Sequence, residues 1–247
     1  MAPVRVLLAF AAAVAVAVAG SIPSYIPVCK RNDPDINNCI KDAVEKLKPK
    51  LAEGIPELDV PKLEPLYIPQ LTINPNQGQN IRAVGTNVRI HGASHFTITS
   101  ITADIPKHEF SAAIKIPSLY FEADYDVDAK LLSITLKGRG PLTANATECS
   151  GDVVLKGQLV KKNGSPYLYF YNTEVSIDVK HVQVHLEGLF NGDKVLGEAT
   201  NQALNENSGE FWPTIKPIAE QTIAEVLLGI ANNITSHFTY DDLFPKN

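Results

Sequence analysis

Two periodicities divide the chain. Ile36, Ile40, Val44, Leu47 and Leu51 recur at three- and four-residue spacing, the mark of a helix with one apolar face. Asp33-Pro34-Asp35 in front of them are residues that start helices: a carboxylate accepts free first-turn N–H groups, and proline needs no donor there. Gly54 ends the pattern, and prolines at 56, 61, 65 and 69 forbid its resumption, predicting an extended connector. From about Leu71 to Leu189 the period shortens to two. Val88, Ile90, Phe96 and Ile98 hold one parity, while Arg89, His91, His95 and Thr97 hold the other. Phe110, Ala112, Ile114 and Ile116 follow, then Leu119, Phe121, Ala123, Tyr125 and Val127, then Leu132, Ile134 and Leu136. Val153, Leu155 and Leu159 lead to a hairpin signal at Lys162-Asn163-Gly164-Ser165 and the aromatic run Tyr167–Tyr171. Val175, Ile177 and Val179 are out of phase with Val182, Val184 and Leu186, which predicts a bulge or bend near Lys180-His181.

After Gly188 the helical period returns and lasts almost to the end. Phe211, Ile215, Ile218, Thr222, Val226, Ile230 and Ile234 form one stripe, widened by Trp212, Ile223, Leu227 and Phe238. Such width implies cover on much of the helix circumference, with Pro213 and Pro217 in its first turns or at a kink. The fold class is therefore α+β: a long C-terminal helix lying in the concave apolar face of a strongly curved antiparallel sheet. With no repeat and no interior linker, residues 21–247 are expected to form a single domain.

Residues 1–20 read differently. Arg5 is the only charge, and Val6–Ala19 is an apolar run closing in small residues. It is shorter than a bilayer span and is expected to be a signal peptide, cleaved near Gly20 or Ser21. Of 22 basic and 27 acidic residues, Arg5 leaves with the leader, so the net charge of −5 becomes one unit more negative. That total does not favour nucleic acid, and no basic cluster follows an apolar helix to anchor the chain on a membrane. In an oxidising compartment Cys29 and Cys39 are expected to pair, because no further ligand lies at metal spacing. Cys149 is left over, as a buried thiol or an exposed one linking two chains. Asn145 and Asn233 head glycosylation sequons; at a third, Asn163, the following Pro166 makes a poorer acceptor.

Catalytic and metal chemistry find no footing. Gly92-Ala93-Ser94-His95-Phe96 lacks the second glycine of a nucleophile elbow, and His108-Glu109 lacks the second histidine of a zinc-protease helix. His91/His95 and His181/His185 fall on predicted strands, where four residues span about 13 Å, too far for one metal. Asp124, Asp126 and Asp128 alternate on one wet strand face. No cofactor is implied. What remains is apolar surface with a few hydroxyls, which suits a small hydrophobic ligand. Candidate lining residues are Phe96, Phe121, Tyr125, Phe170, Phe211, Trp212, Ile215 and Val226.

Several ordered segments resemble a known family. Cys29-x9-Cys39, Ile55-Pro56-Glu57-Leu58 with Leu63-Glu64-Pro65-Leu66, and Phe190-Asn191-Gly192-Asp193-Lys194-Val195-Leu196 are three of them. Asn205-Glu206-Asn207 and Asp242-Leu243-Phe244-Pro245 complete the set. Together they are similar to the insect takeout/juvenile-hormone-binding protein family. The resemblance implies a tubular lipid-binding architecture and secretion into haemolymph or sensory fluid. It also implies an internal tunnel for a juvenile-hormone-like terpenoid, a fatty acid or a quinone-like lipid. Hormone binders of that family tend to carry a second disulfide in the sheet; Cys149 has no mate, which places the chain on the takeout-like side. The expected protein is a monomeric carrier, not an enzyme, with an unknown receptor. The alternatives are a secreted signalling or adhesion module with a solid core, and a lipid-ester hydrolase.

Overall fold

The computed structural model describes residues 22–73, 82–131 and 134–246. The leader expected over 1–20, and Leu132, lie outside those residues. Six antiparallel strands form one sheet: β1 (Leu66–Ile73), β2 (Arg82–His91), β3 (Thr97–Asp104), β4 (Glu109–Leu131), β5 (Ile134–Lys162) and β6 (Ser165–Leu186). The path runs β1-β2-β4-β5-β6, and β3 pairs with β4 beside β2. The sheet curls into a half-barrel that carries the C-terminal helices, the architecture its two periodicities imply.

The long strands share one irregularity. On β4 the inward set changes from Phe110, Ala112, Ile114 and Ile116 to Leu119, Phe121, Ala123 and Tyr125, on either side of Pro117. On β5 it changes at Glu148, which has φ +52°, and on β6 at Lys180-His181. Pairing is interrupted at these three positions and resumes in unchanged register beyond them. The slip read near Lys180-His181 is thus one end of a line crossing three strands. Lys180 and Glu148 close it on the outer face with a 2.9 Å ion pair.

Helices shield β3, which lies off the path, and β6, which ends it. Helix α1 (Ile36–Glu53) runs along β3, where Asn37 accepts from the Ala103 N–H at 2.9 Å. The Lys48 ammonium, 2.9 Å from Glu45, and to a lesser extent the Ile98 backbone hold the Glu45 carboxyl below its usual range. Along β6 run α2 (Lys194–Glu206) and α3 (Ser208–Ser236). Asn201 accepts from Leu186 N–H (2.9 Å) and donates to Leu186 C=O (3.0 Å). Asn205 does the same for Val184 (2.8 and 2.9 Å), and Asn232 for Phe170 (2.9 and 2.8 Å). Glu220 accepts from Ile177 N–H at 2.9 Å. Four helical residues advance about 6 Å and two strand residues about 6.6 Å. That match is why Asn201 and Asn205 meet alternate residues of the edge. Bare strand edges invite pairing with other chains, and side-chain amides here take that role.

Three sequence expectations change. The run from Val88 to Ile98 is not one strand: Gly92 (φ +89°) breaks it, and Ala93–His95 make a single 3-10 turn. A Cβ on Gly92 would stand 2.4 Å from the Ser118 carbonyl oxygen, so the turn is pressed against β4. His91 therefore ends β2, and His95 lies in the turn. The proline-rich connector is a packed knot, with a 3-10 turn at Pro56–Leu58 and buried Ile55, Leu58 and Val60. Its prolines break the helix as expected, while its aliphatic residues cap the end of α3. Finally, the C-terminal helical region is two helices, with Asn207 between them, plus a short α4 (Tyr240–Leu243).

The expected hairpin is present, with Asn163 (φ +53°) and Gly164 (φ +83°) between paired Lys162 and Ser165. Cys29 and Cys39 are bonded, and Cys149 is buried and free. No described helix is long and apolar enough to cross a membrane.

Candidate ligand-binding interior

Packing is concentrated toward the two ends of α3. At one end Tyr125, Leu136, Leu186, Leu189, Leu204 and Phe211 form a buried cluster that Ile215 joins from α3. The Tyr125 hydroxyl donates to Glu187 C=O at 2.6 Å. Burial, and secondarily the Glu187 carboxylate, push this phenol up to about 12, so it stays neutral. At the other end, Phe238 packs on the Ile55–Val60 knot, with Leu51, Ile230 and Ile234 around it. Beside this lies Leu168, Phe170 and Tyr240, supported by Phe110, Leu155, Leu228 and Phe244. Arg31 ties the N-terminal segment to this end, bonding Phe244 C=O at 2.7 Å and pairing with Asp241.

Between these plugs the helix is apolar yet unburied. From Trp212 to Ile234 no α3 residue is buried; only Phe211 and Thr235 are. Ile218, Thr222 and Val226 belong to none of the three clusters. Neither do Ile114, Ile116, Phe121, Val153, Val175, Ile177 and Val179, all inward on the sheet and half-buried. From Ile215 to Leu228 this unplugged stretch is about 20 Å of helix. Facing apolar surfaces in a folded domain normally interlock until their side chains are buried. Here they stop short of it along the middle of the molecule.

The wall thins at the row Ile114–Gly151–Ile177, where Gly151 leaves the inner face without a side chain. A half-open hollow of about 250 Å³ lies there, bordered mainly by polar residues such as Lys115, Ser150, Asp152, Ser176, Asp178 and Lys216. Among the described residues three side-chain polar atoms are buried without a protein partner: Trp212 Nε1, Thr173 Oγ1 and Thr235 Oγ1. Such groups carry an unmet hydrogen-bonding demand.

The candidate lining residues divide among these regions. Tyr125, Phe211 and Ile215 meet in the first plug, and Phe170 is in the second. Phe121 and Val226 are half-buried along the middle, and Trp212 is half-buried at the first plug, between Phe211 and Ile215. Phe96 lies at the end of the 3-10 turn near α1, with the Lys48 ammonium 5.1 Å above its ring. Sequence reading missed Thr173, Gly151 and the inward aliphatics of the central β6, whose half-burial no local pattern reports. His181 and His185 are exposed on β6. Asn145 is exposed on the outer face of β5, whereas Asn233 lies within α3 and donates from Nδ2 to Asp59 C=O at 2.7 Å.

The family model for haemolymph juvenile hormone binding protein matches residues 6–245. The chain belongs to that family. The circadian clock-controlled protein daywake of Drosophila melanogaster is 23% identical over 235 residues, covering 91% of this chain and 88% of its own. The "Putative beta-carotene-binding protein" of Schistocerca gregaria is 25% identical over 218 residues, covering 87% and 86%. The crystal structure of Epiphyas postvittana Takeout 1 superposes with a TM-score of 0.73 at 18% identity, covering 89% of this chain and all of that one. The family is one of hydrophobic-ligand binders, and the takeout fold is that of this chain.

Proposed function

We propose that this protein is a secreted carrier that encloses one small hydrophobic molecule between α3 and the inner face of the sheet. The observation that carries the proposal is the stretch of apolar, unburied helix between two packed ends. A solid-core module would bury those side chains. A guest of juvenile-hormone-like terpenoid, fatty acyl or quinone-like structure is long and thin enough to follow the helix. The relative named for beta-carotene binding supports a polyisoprenoid class of guest. Trp212 Nε1 and Thr173 Oγ1 offer hydrogen bonds to a guest bearing an oxygen. Residues 1–20 act as the export signal, and residues 21–247 form the carrier domain.

Native mass spectrometry of protein taken from its own tissue is the direct test, expecting a bound mass released by organic solvent. Empty protein that also takes up no terpenoid, fatty acid or quinone would refute the carrier reading. Filling the middle with I218W and V226F should abolish uptake while the circular dichroism stays unchanged. N-terminal sequencing of the exported protein is expected to begin near Gly20 or Ser21.

A further inference from the structure

We infer that the β5–β6 hairpin tip is a docking surface for anionic lipid bilayers. The hairpin projects past the first residue of β4, since β4 begins at Glu109 opposite Lys156 while β5 continues to Lys162. Beyond that point the tip exposes Leu159, Val160, Tyr169 and Tyr171, at 42, 37, 46 and 54% of their surfaces. Tyr167, Tyr169 and Tyr171 alternate along β6, and Val160 pairs with Tyr167 across the strands. Apart from the adjacent Val195 and Leu196, the other large exposed apolar residues described are scattered; here four fall within thirteen positions.

The charge of the same segment is one-sided. From Val153 to Thr173 there are three lysines and no acidic residue, in a chain with net charge −5. Lys156 is spent on Glu174 at 2.5 Å, with Glu109 opposite it in the ladder. Among the described residues Lys161 and Lys162 have no carboxylate within ion-pair distance, and Lys162 lies 5.6 Å over the Tyr167 ring. The acids at the base are engaged: Asp104 by Lys107, Asp241 by Arg31, and Asp242 by the cap of α4.

Tyrosines with a polar tip, aliphatics and unpaired lysines suit the boundary between acyl chains and phosphate headgroups. Lysine stems reach apolar depth while their ammonium groups meet anionic phosphate. The apex sequon Asn163-Gly164-Ser165 is followed by Pro166, which makes Asn163 a poorer glycan acceptor. Beneath the tip lies the Leu168–Phe170–Tyr240 plug, so docking would bring that end of the interior against the bilayer. The docking itself does not depend on the interior holding a guest.

Vesicle co-sedimentation of the whole protein tests this, with phosphatidylcholine alone and with phosphatidylcholine carrying about one third phosphatidylserine. Binding is expected only to the anionic vesicles and should fall as salt rises. K161E/K162E should weaken it by at least about tenfold, and Y169S/Y171S should weaken it without changing its salt dependence. K137E, changed far from the tip, should bind as wild type. In a V160W variant, added vesicles should shift the new tryptophan's emission to the blue. Absence of binding, equal binding by K161E/K162E, or attachment to cells that survives removal of anionic lipid would overturn the inference. The last outcome would point to a protein receptor instead.

Discussion

Asn201 offers a quantitative test of how the sheet edge is closed. Its side chain is buried and makes two hydrogen bonds to one residue, at 2.9 Å from Leu186 N–H and 3.0 Å to Leu186 C=O. Asn201→Ala leaves both backbone groups without a partner where water does not reach. Each orphaned group costs about 1–3 kcal/mol, so a loss of about 3 kcal/mol is expected. With a urea slope of roughly 3 kcal/mol per molar for a domain of this size, the midpoint should fall by about 1 M. Asn205→Ala, at a half-buried site, should cost about 2 kcal/mol. The sole tryptophan, Trp212, sits on α3 beside the affected region and reports unfolding by fluorescence, with far-ultraviolet circular dichroism as the coincident probe. Asn201→Leu separates hydrogen bonding from packing. It fills the space but bonds nothing, and should destabilise at least as much as alanine. A loss below about 1 kcal/mol for alanine, or a neutral leucine variant, would refute the amide-ladder account.

Other expectations follow from single sites. Gly92→Ala places a Cβ 2.4 Å from the Ser118 carbonyl at φ +89°, and should cost about 3 kcal/mol or prevent soluble expression. Burial lowers the His108 pKa, so the unfolded chain binds this proton more readily than the folded one. Stability should therefore fall as pH drops below about 6.5, and His108→Asn, which tolerates the site's φ of +55°, should flatten melting temperatures between neutral pH and the onset of carboxylate protonation. Equal slopes would contradict it. Burial also raises the Cys149 pKa, so a thiol reagent at mildly alkaline pH should react with it slowly and at full rate only after denaturation. Fast labelling of folded protein would show the thiol to be accessible.

The sheet, the C-terminal helix and the disulfide were legible because each depends on local pattern. Strand parity survived burial, and even the Lys180-His181 slip was visible as two apolar phases. The Gly92 turn was not, because Phe96 and Ile98 happen to keep the parity of Val88 and Ile90 across it. The Ile55–Val60 knot was hidden for the opposite reason: prolines 56 and 61 announce an open chain, while the aliphatics between them decide its packing. Asn201 and Asn205 looked like ordinary polar helix positions, since nothing local tells an amide facing water from one facing a strand edge. Candidate lining residues were only partly separable. Tyr125 and Phe211 plug an end, while Phe121 and Val226 face the unburied middle, and both kinds present the same large apolar side chain to a sequence reader.

The reversal shared by Pro117, Glu148 and Lys180 bears on how such a chain can drift through evolution. Losing or gaining one residue in β5 alone would turn half of that strand inside out against two neighbours that had not moved. Substitutions are filtered one side chain at a time, but changes of length would be vetoed by three strands together. Conservation in relatives of this fold should therefore be written in the spacing between Pro117, Glu148 and Lys180 more than in the letters between them. Insertions should collect at the Asn163-Gly164 apex, where an added residue disturbs no partner.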